Sequence, residues 1–339
     1  MKINVLLTGA GGNLGHFIQR ALEASSLDFN LIACDYSHDA VGLYLVDHAY
    51  VVPPARDAGY LDRIIEICQQ ESIHVILAGG MVEMRLLARH REQIRATTGA
   101  TVITSSPESL ERMEDKWNLV QHLASHGFDH PRSVLPADVA SYQAFLDQVP
   151  YPYIVKDRLG GGSKGLGVAS HKRQLDYLIE TIPNAVIQEY LQPDDEEYTV
   201  GVFLSQSSQA KASIVMKRQL GLGMTFKAQV LADSDLATYC ERVAETFTAT
   251  GPINLQLRLT TRGPVLFEIN PRFSSTTSAR PHFGYNEVEM SLRHFVLGEE
   301  IRRPLIKPGR FYRVIEDVVV DERQFDALRT QGSRIKNRP

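Results

Sequence analysis

The sequence predicts an α/β unit wound on a parallel sheet, followed by an α+β unit with antiparallel sheets. Three observations carry this. Over residues 1 to about 110, short β-rich runs alternate with amphipathic segments, which is the pattern of βαβ units. A glycine turn with Gly9, Gly12 and Gly15 follows the first run, and Asp35 ends the next strand roughly twenty residues later. From Pro150 onward the runs fall mostly at hairpin spacing instead.

Taken in order, the first unit reads as strand Asn4–Leu7, helix Leu14–Leu22, strand Leu31–Cys34, helix Tyr60–Cys68, strand Val75–Leu77 and helix Met84–Ile94. A second unit opens near Ser105, with Pro107 at a helix start and Gly127 at its stop. Strand Tyr153–Lys156 then runs into a loop holding Gly160, Gly161, Gly162, Gly165 and Gly167, and helix Leu175–Ile182 follows. Strands are predicted over Ala185–Tyr190, Tyr198–Leu204, Ala212–Lys217 and Phe226–Leu231, then a helix over Leu236–Phe247. The last hairpin joins Asn254–Leu259 to Val265–Ile269 through a turn at residues 261–264, and the closing GSRIKNRP reads as a frayed basic tail.

Composition excludes several classes. With 36 Lys plus Arg against 40 Asp plus Glu, the formal charge is −4, so no overall basic field draws nucleic acid or an anionic membrane. Apolar runs fall short of the roughly 20 residues that span a bilayer. Three separated cysteines, Cys34, Cys68 and Cys240, fit neither a disulfide framework nor a zinc knuckle, and predict a reducing, cytoplasmic setting.

The chemistry gathers in three places. Glu268 and Asn270 alternate on one strand and project to one face, with Gln256 on the neighbouring strand and Arg272 continuing the row. Gln256, Glu268 and Asn270 are oxygen donors of the kind magnesium takes when phosphates complete its shell. Read alone, the row is equally the solvent-facing side of an ordinary hairpin, but Pro271 ends the strand where the polar groups converge. Second, the glycine loop after Lys156 offers backbone N–H groups to phosphate oxygens without the spacing of a P-loop. Third, the strand carrying Gln188, Glu189 and Leu191 breaks at residues 190–193 and offers backbone groups to a base edge, with Glu197 as an acceptor for ribose. Arg272, and more weakly Arg218, are the candidates to stabilise a transferring phosphoryl group. Ser274 to Ser278 with Arg280 form a polar run suited to a carboxylate.

The ordered set Lys116, Lys156 before a glycine loop, Gln188-Glu189-Tyr190-Leu191, Glu197, Gln256 and Glu268-x-Asn270-x-Arg272 resembles the ATP-grasp superfamily. Within it, the set resembles the synthetase halves of the carbamoyl phosphate synthetase large subunit and biotin carboxylase, over roughly residues 1 to 300. The resemblance implies a Rossmann-like domain (1–105), an ATP-grasp small subdomain (106–185), a large subdomain (186–305) and a C-terminal extension (306–339). It implies ATP with its adenine at Gln188, Glu189 and Leu191 and its ribose at Glu197. The phosphates would lie under Gly161, Gly162 and Ser163 with Lys116 and Lys156. Mg2+, or Mn2+ in its place, would lie on Gln256, Glu268 and Asn270. Arg272 and Arg218 are the catalytic side chains it implies. The implied reaction joins a small carboxylate to an amine through an acylphosphate, releasing ADP, in a possible homodimer. Residues 219–223 lack the histidine that carbamoyl phosphate synthetase carries nearby, a departure that counts against carbamate chemistry. Two other readings stand beside this one: a nicotinamide-dependent oxidoreductase built on the first forty residues, and an ATP-binding protein without turnover.

Overall fold

The computed structural model describes residues 2–161, 165–232 and 234–335. Its first sheet has the order Ser333–Ile335, His48–Val51, Phe29–Asp35, Ile3–Thr8, Val75–Ala78, Thr101–Val102. The five inner and far-edge strands are parallel and Ser333–Ile335 is antiparallel. Alternation along Ile3–Thr8 sends Ile3, Val5 and Leu7 into one core and Leu6 into the other. Helices Asn13–Glu23, Tyr60–Gln70 and Met81–Thr98 supply the covering side chains.

Two differences from the sequence reading lie in this unit. His48–Val51 is a strand although only four residues long, because it is clamped between two partners. The expected frayed tail is ordered over Ser333–Ile335: Arg334 is buried and its Nη2 donates to the carbonyls of Leu43 (3.0 Å) and Val46 (2.5 Å). Residues 336–339 of that tail lie outside the described residues.

The predicted single helix after Ser105 is two, Pro107–Glu114 and Lys116–Ser125. Asp115 breaks it with an extended ψ of 113° and caps the second helix, its Oδ1 accepting from the amides of Trp117 (2.9 Å) and Asn118 (3.2 Å). Lys116 thereby becomes the first residue of its helix.

A four-stranded antiparallel sheet follows, ordered Ser133–Val134, Ala185–Glu189, Tyr153–Asp157, Leu166–Ala169, with helices Val139–Gln148 and Lys172–Thr181 packed on it through Phe145 and Leu175. The strand 185–189 belongs to this sheet, so the division proposed at 185 and 186 is better drawn after residue 189. The third sheet is six-stranded and antiparallel: Gly263–Asn270, Gly251–Thr260, Glu197–Leu204, Ala210–Gly221, Met224–Leu231, Gly309–Tyr312. One face carries Met113, Leu119, Leu236 and Cys240 from the helices. The other carries Phe283, Tyr285 and Met290. All three cysteines are free thiols and buried. Among the described residues no helix is long and apolar enough to cross a membrane.

Candidate active site

A cleft of about 360 Å3 opens between the four-stranded and six-stranded sheets. The residues predicted for nucleotide, metal and catalysis within the described part all line it: Lys116, Lys156, Gly161, Gln188, Glu189, Leu191, Glu197, Arg218, Gln256, Glu268, Asn270 and Arg272. Gly162 and Ser163 lie outside the described residues.

The row on the final hairpin depends on a bulge. Gln256 pairs with Glu268 and Asn254 with Asn270, but Leu257 pairs with Leu266, which leaves Phe267 as the extra residue. Leu266 and Ile269 can therefore both be buried while Phe267 joins Glu268 in lining the cleft. Along the row, Asn270 Nδ2 donates to Glu268 Oε1 (2.9 Å) and Arg272 Nη2 donates to Asn270 Oδ1 (3.0 Å). Arg272 also donates from Nε to Met81 Sδ (2.9 Å) and from Nη1 to the Phe273 carbonyl (2.8 Å). The row thus ends against the first residue of the N-terminal domain's helix Met81–Thr98. Burial lowers the Arg272 pKa, with Glu268 and Glu114 opposing.

Lys156 lies one residue before the end of its strand with the ammonium buried, 5.0 Å from the centre of the Phe267 ring. Burial brings its pKa down to about 8, against the raising fields of Glu268 and Glu197 and with Lys116 adding to the lowering. Among the described residues its ammonium donates no hydrogen bond. Lys116 is buried as well, and Nζ donates to the carbonyls of Gly160 (2.5 Å) and Arg158 (3.4 Å). The helix break explains this position: Asp115 Oδ2 accepts from Arg158 Nη2 (2.7 Å), tying the helix start to the end of the glycine loop's strand.

Along the predicted nucleotide edge, the side chains make contacts within the protein. Glu189 turns its carboxylate to the Arg132 amide (2.9 Å) and Arg262 Nη2 (2.5 Å), so its side chain is committed within the protein. Gln188 Nε2 donates to Ser133 Oγ (2.9 Å), while Oε1 is buried without a partner. Glu197 is held by two guanidinium groups: Oε1 accepts from Arg218 Nε (2.9 Å) and Nη2 (2.7 Å), and Oε2 from Arg258 Nη2 (2.6 Å). Burial works to raise the Glu197 pKa, and Arg218 with Arg258 more than offsets it, so the net shift is downward. Arg218 Nη2 also donates to Gln256 Oε1 (2.7 Å). Arg258 Nη1 fastens the Leu191 carbonyl (2.5 Å).

Sequence reasoning missed Arg258 and Phe267. Arg258 follows Gln256 by one pleat, and that alternation was the available signal. Phe267 owes its place to a bulge, which no residue pattern announces. The polar run is corrected: Ser274 and Ser275 line the cleft, but Thr276, Thr277 and Arg280 are buried. Arg280 is ion-paired with Glu287 and donates to Asn254 Oδ1 (2.6 Å), which removes it from any acceptor site.

The donor set fits a hard divalent cation. Glu268 supplies a carboxylate whose Oε2 has no hydrogen-bond partner among the described residues, and the amide oxygens of Gln256 and Asn270 each keep a second lone pair beside their arginine donor. With one carboxylate the set needs further oxygens, which phosphates would bring. The N-terminal glycine turn is by contrast self-satisfied. Asp35 accepts from the amides of Gly11 (2.9 Å) and Ser37 (3.1 Å), and a Cβ on Gly11 would stand 2.5 Å from that of Ala40. Of the fingerprint glycines, Gly9 has a positive φ of 60° and a Cβ on Gly15 would stand 2.6 Å from the Gly9 carbonyl oxygen, so the turn and its packing account for both.

The two strand layers closing on a cleft with this row define the ATP-grasp fold. A family model described as ATP-grasp in the biosynthetic pathway with Ter operon matches residues 181–318, and one described as the PylC-like N-terminal domain matches residues 5–103. Over residues 181–318 the chain matches an ATP-grasp family, and its fold is that of ATP-grasp proteins. The arginine-specific large chain of carbamoyl phosphate synthase from Eremothecium gossypii is 23% identical over 259 residues, which cover 70% of this chain and 23% of that one. The chain thus spans less than a quarter of that relative. Among solved structures, N5-carboxyaminoimidazole synthetase from Staphylococcus aureus complexed with ADP superposes with a TM-score of 0.73 at 19% identity, covering 98% of this chain and 86% of that one. The biotin carboxylase domain of Hydrogenobacter thermophilus 2-oxoglutarate carboxylase, with MgADP and bicarbonate, gives 0.67 at 15% identity, covering 91% and 74%.

Proposed function

We propose that this chain is an ADP-forming ligase that activates a small carboxylate with ATP and passes it to an amine. The observation that carries the reading is the placement of the Gln256, Glu268 and Asn270 oxygens in one cleft with two buried lysines, Lys116 and Lys156. A buried ammonium whose pKa is lowered by burial calls for an anion, and a row of oxygen donors calls for a cation. A magnesium-bound triphosphate answers both.

Within this reading Lys116 and Lys156 neutralise phosphate oxygens, and the glycine loop with Gly161 lies over them. Gln188, Leu191 and the backbone of Glu189 border the base, and Glu197 takes a ribose hydroxyl on the lone pair that its arginines leave. Mg2+, with Mn2+ able to occupy the same donors, would be held by Gln256, Glu268 and Asn270 and would withdraw charge from the phosphoryl oxygens. A carboxylate oxygen attacks the γ-phosphorus as the bridging bond to ADP breaks. The amine nitrogen then attacks the acyl carbon, phosphate leaves and the amine gives up a proton. Arg272 is placed to hold the transferring group, and Arg218 orients Gln256 and Glu197 instead of touching it. The protein contributes position and charge, without a covalent nucleophile. Likenesses to a synthetase bound to ADP and a carboxylase bound to MgADP support the nucleotide and metal.

Incubation with MgATP and a panel of carboxylates and amines tests this. ADP and phosphate, released only when a carboxylate is present, are expected. AMP with pyrophosphate would contradict the acylphosphate route.

A further inference from the structure

We propose that residues 309–319 form an edge-to-edge interface with a second copy of this chain. Strand Gly309–Tyr312 ends the six-stranded sheet and pairs only with Met224–Leu231. The run that follows, Val314-Ile315-Glu316-Asp317-Val318-Val319-Val320, is composed as a strand, being mostly β-branched. Yet residues 314–320 belong to no strand, and their backbone groups make no hydrogen bond to another described residue. Their apolar side chains face solvent: Val314 is 73% exposed, Ile315 80% and Val319 94%, with Tyr312 just before them at 62%. An open sheet edge continued by an exposed β-branched run is a template for another strand.

Charge decides which strand. Arg310 and Asp317 are both exposed, and neither has a partner among the described residues. In an antiparallel pair, paired positions share a constant sum. A two-fold pairing that sets Arg310 against Asp317 of the other copy therefore also sets Tyr312 against Ile315, and each contact occurs twice. Registers centred on the acidic pair instead place Glu316 or Asp317 against a like charge, and the one that sets Arg310 against Glu316 sets Arg313 against its own copy, both unfavourable. Registers that would use Arg313 as the cation are disfavoured because its guanidinium already donates to the carbonyls of Thr225 and Ser275. The segment is thus complementary to itself in one register, and the two open edges would close each other.

Sedimentation and light scattering of the full chain over a wide concentration range test this. The expected result is a reversible dimer at twice the 37.9 kDa chain mass. Ile315→Glu should leave a monomer. Arg310→Glu and Asp317→Arg should each raise the dimer dissociation constant about tenfold or more, and the double exchange should restore it. All three positions are exposed, and circular dichroism checks that the variants fold. A chain that is monomeric throughout, a dimer indifferent to Ile315→Glu, or a double exchange that fails to rescue association overturns the proposal.

Discussion

Lys156 holds its ammonium 5.0 Å from the centre of the Phe267 ring, at a point where a β-bulge has turned that ring into the cleft. The ring gives the cation an aromatic neighbour but no hydrogen-bond acceptor, so the charge stays poorly solvated and the pKa falls to about 8.

Nucleotide binding should therefore take up a proton in mildly alkaline solution. Above pH 8 Lys156 is largely neutral in the empty cleft, and phosphate oxygens would restore its charge. Calorimetry with ATP at about pH 8.5, in two buffers of different ionisation enthalpy, should show proton uptake that Lys156→Met abolishes. Equal heats in both buffers would remove Lys156 from the phosphate site.

The same residue makes a stability prediction of opposite sense. Below pH 8 folded and unfolded chains both carry the proton, and the burial cost is fully present. Between about 8 and the ordinary lysine value of 10.5 the unfolded chain binds more protons, so stability rises with pH there. Lys156→Met should flatten that rise in urea unfolding, and an unchanged slope would contradict it.

Glu268→Ala and Asn270→Ala should abolish turnover and weaken ATP binding chiefly when magnesium is present. Titrations with excess magnesium and with a chelator separate the two contributions. Equal losses in both conditions would mean that these side chains hold no metal.

Arg272→Ala should lower turnover by roughly a hundredfold or more while leaving nucleotide affinity near normal. Steady-state ADP release set beside equilibrium ATP binding reads the difference. Near-normal turnover would remove Arg272 from the phosphoryl group.

Gly201→Ala tests the packing beneath the site. A Cβ there would stand 2.4 Å from Arg280 Nη1, whose guanidinium is fully buried and paired with Glu287. The expected loss is about 1–3 kcal/mol in urea unfolding. No loss would show that the buried arginine shifts without cost.

Much of this site was legible in the sequence because most of its side chains sit on strands, where a period of two places Glu268 and Asn270 on one side whatever the surrounding fold; Arg272 lies just past the strand's end and meets the row through Asn270. The alternating N-terminal unit was legible for the same reason. What escaped depended on distant partners. His48–Val51 is too short to signal a strand until Ser333–Ile335 and Phe29–Asp35 flank it. The Glu189 carboxylate is held by Arg262, which lies across the fold and is 73 residues away in sequence. Arg280 looked available in a polar loop, yet Glu287 buries it.

The central claim is that this cleft takes a magnesium-bound triphosphate. Isothermal calorimetry of the purified chain with MgATP tests it most directly. Saturable one-to-one binding, weakened in Glu268→Ala only when magnesium is present, is the predicted result. Absence of binding heat at several temperatures, with the folded state verified, would contradict it.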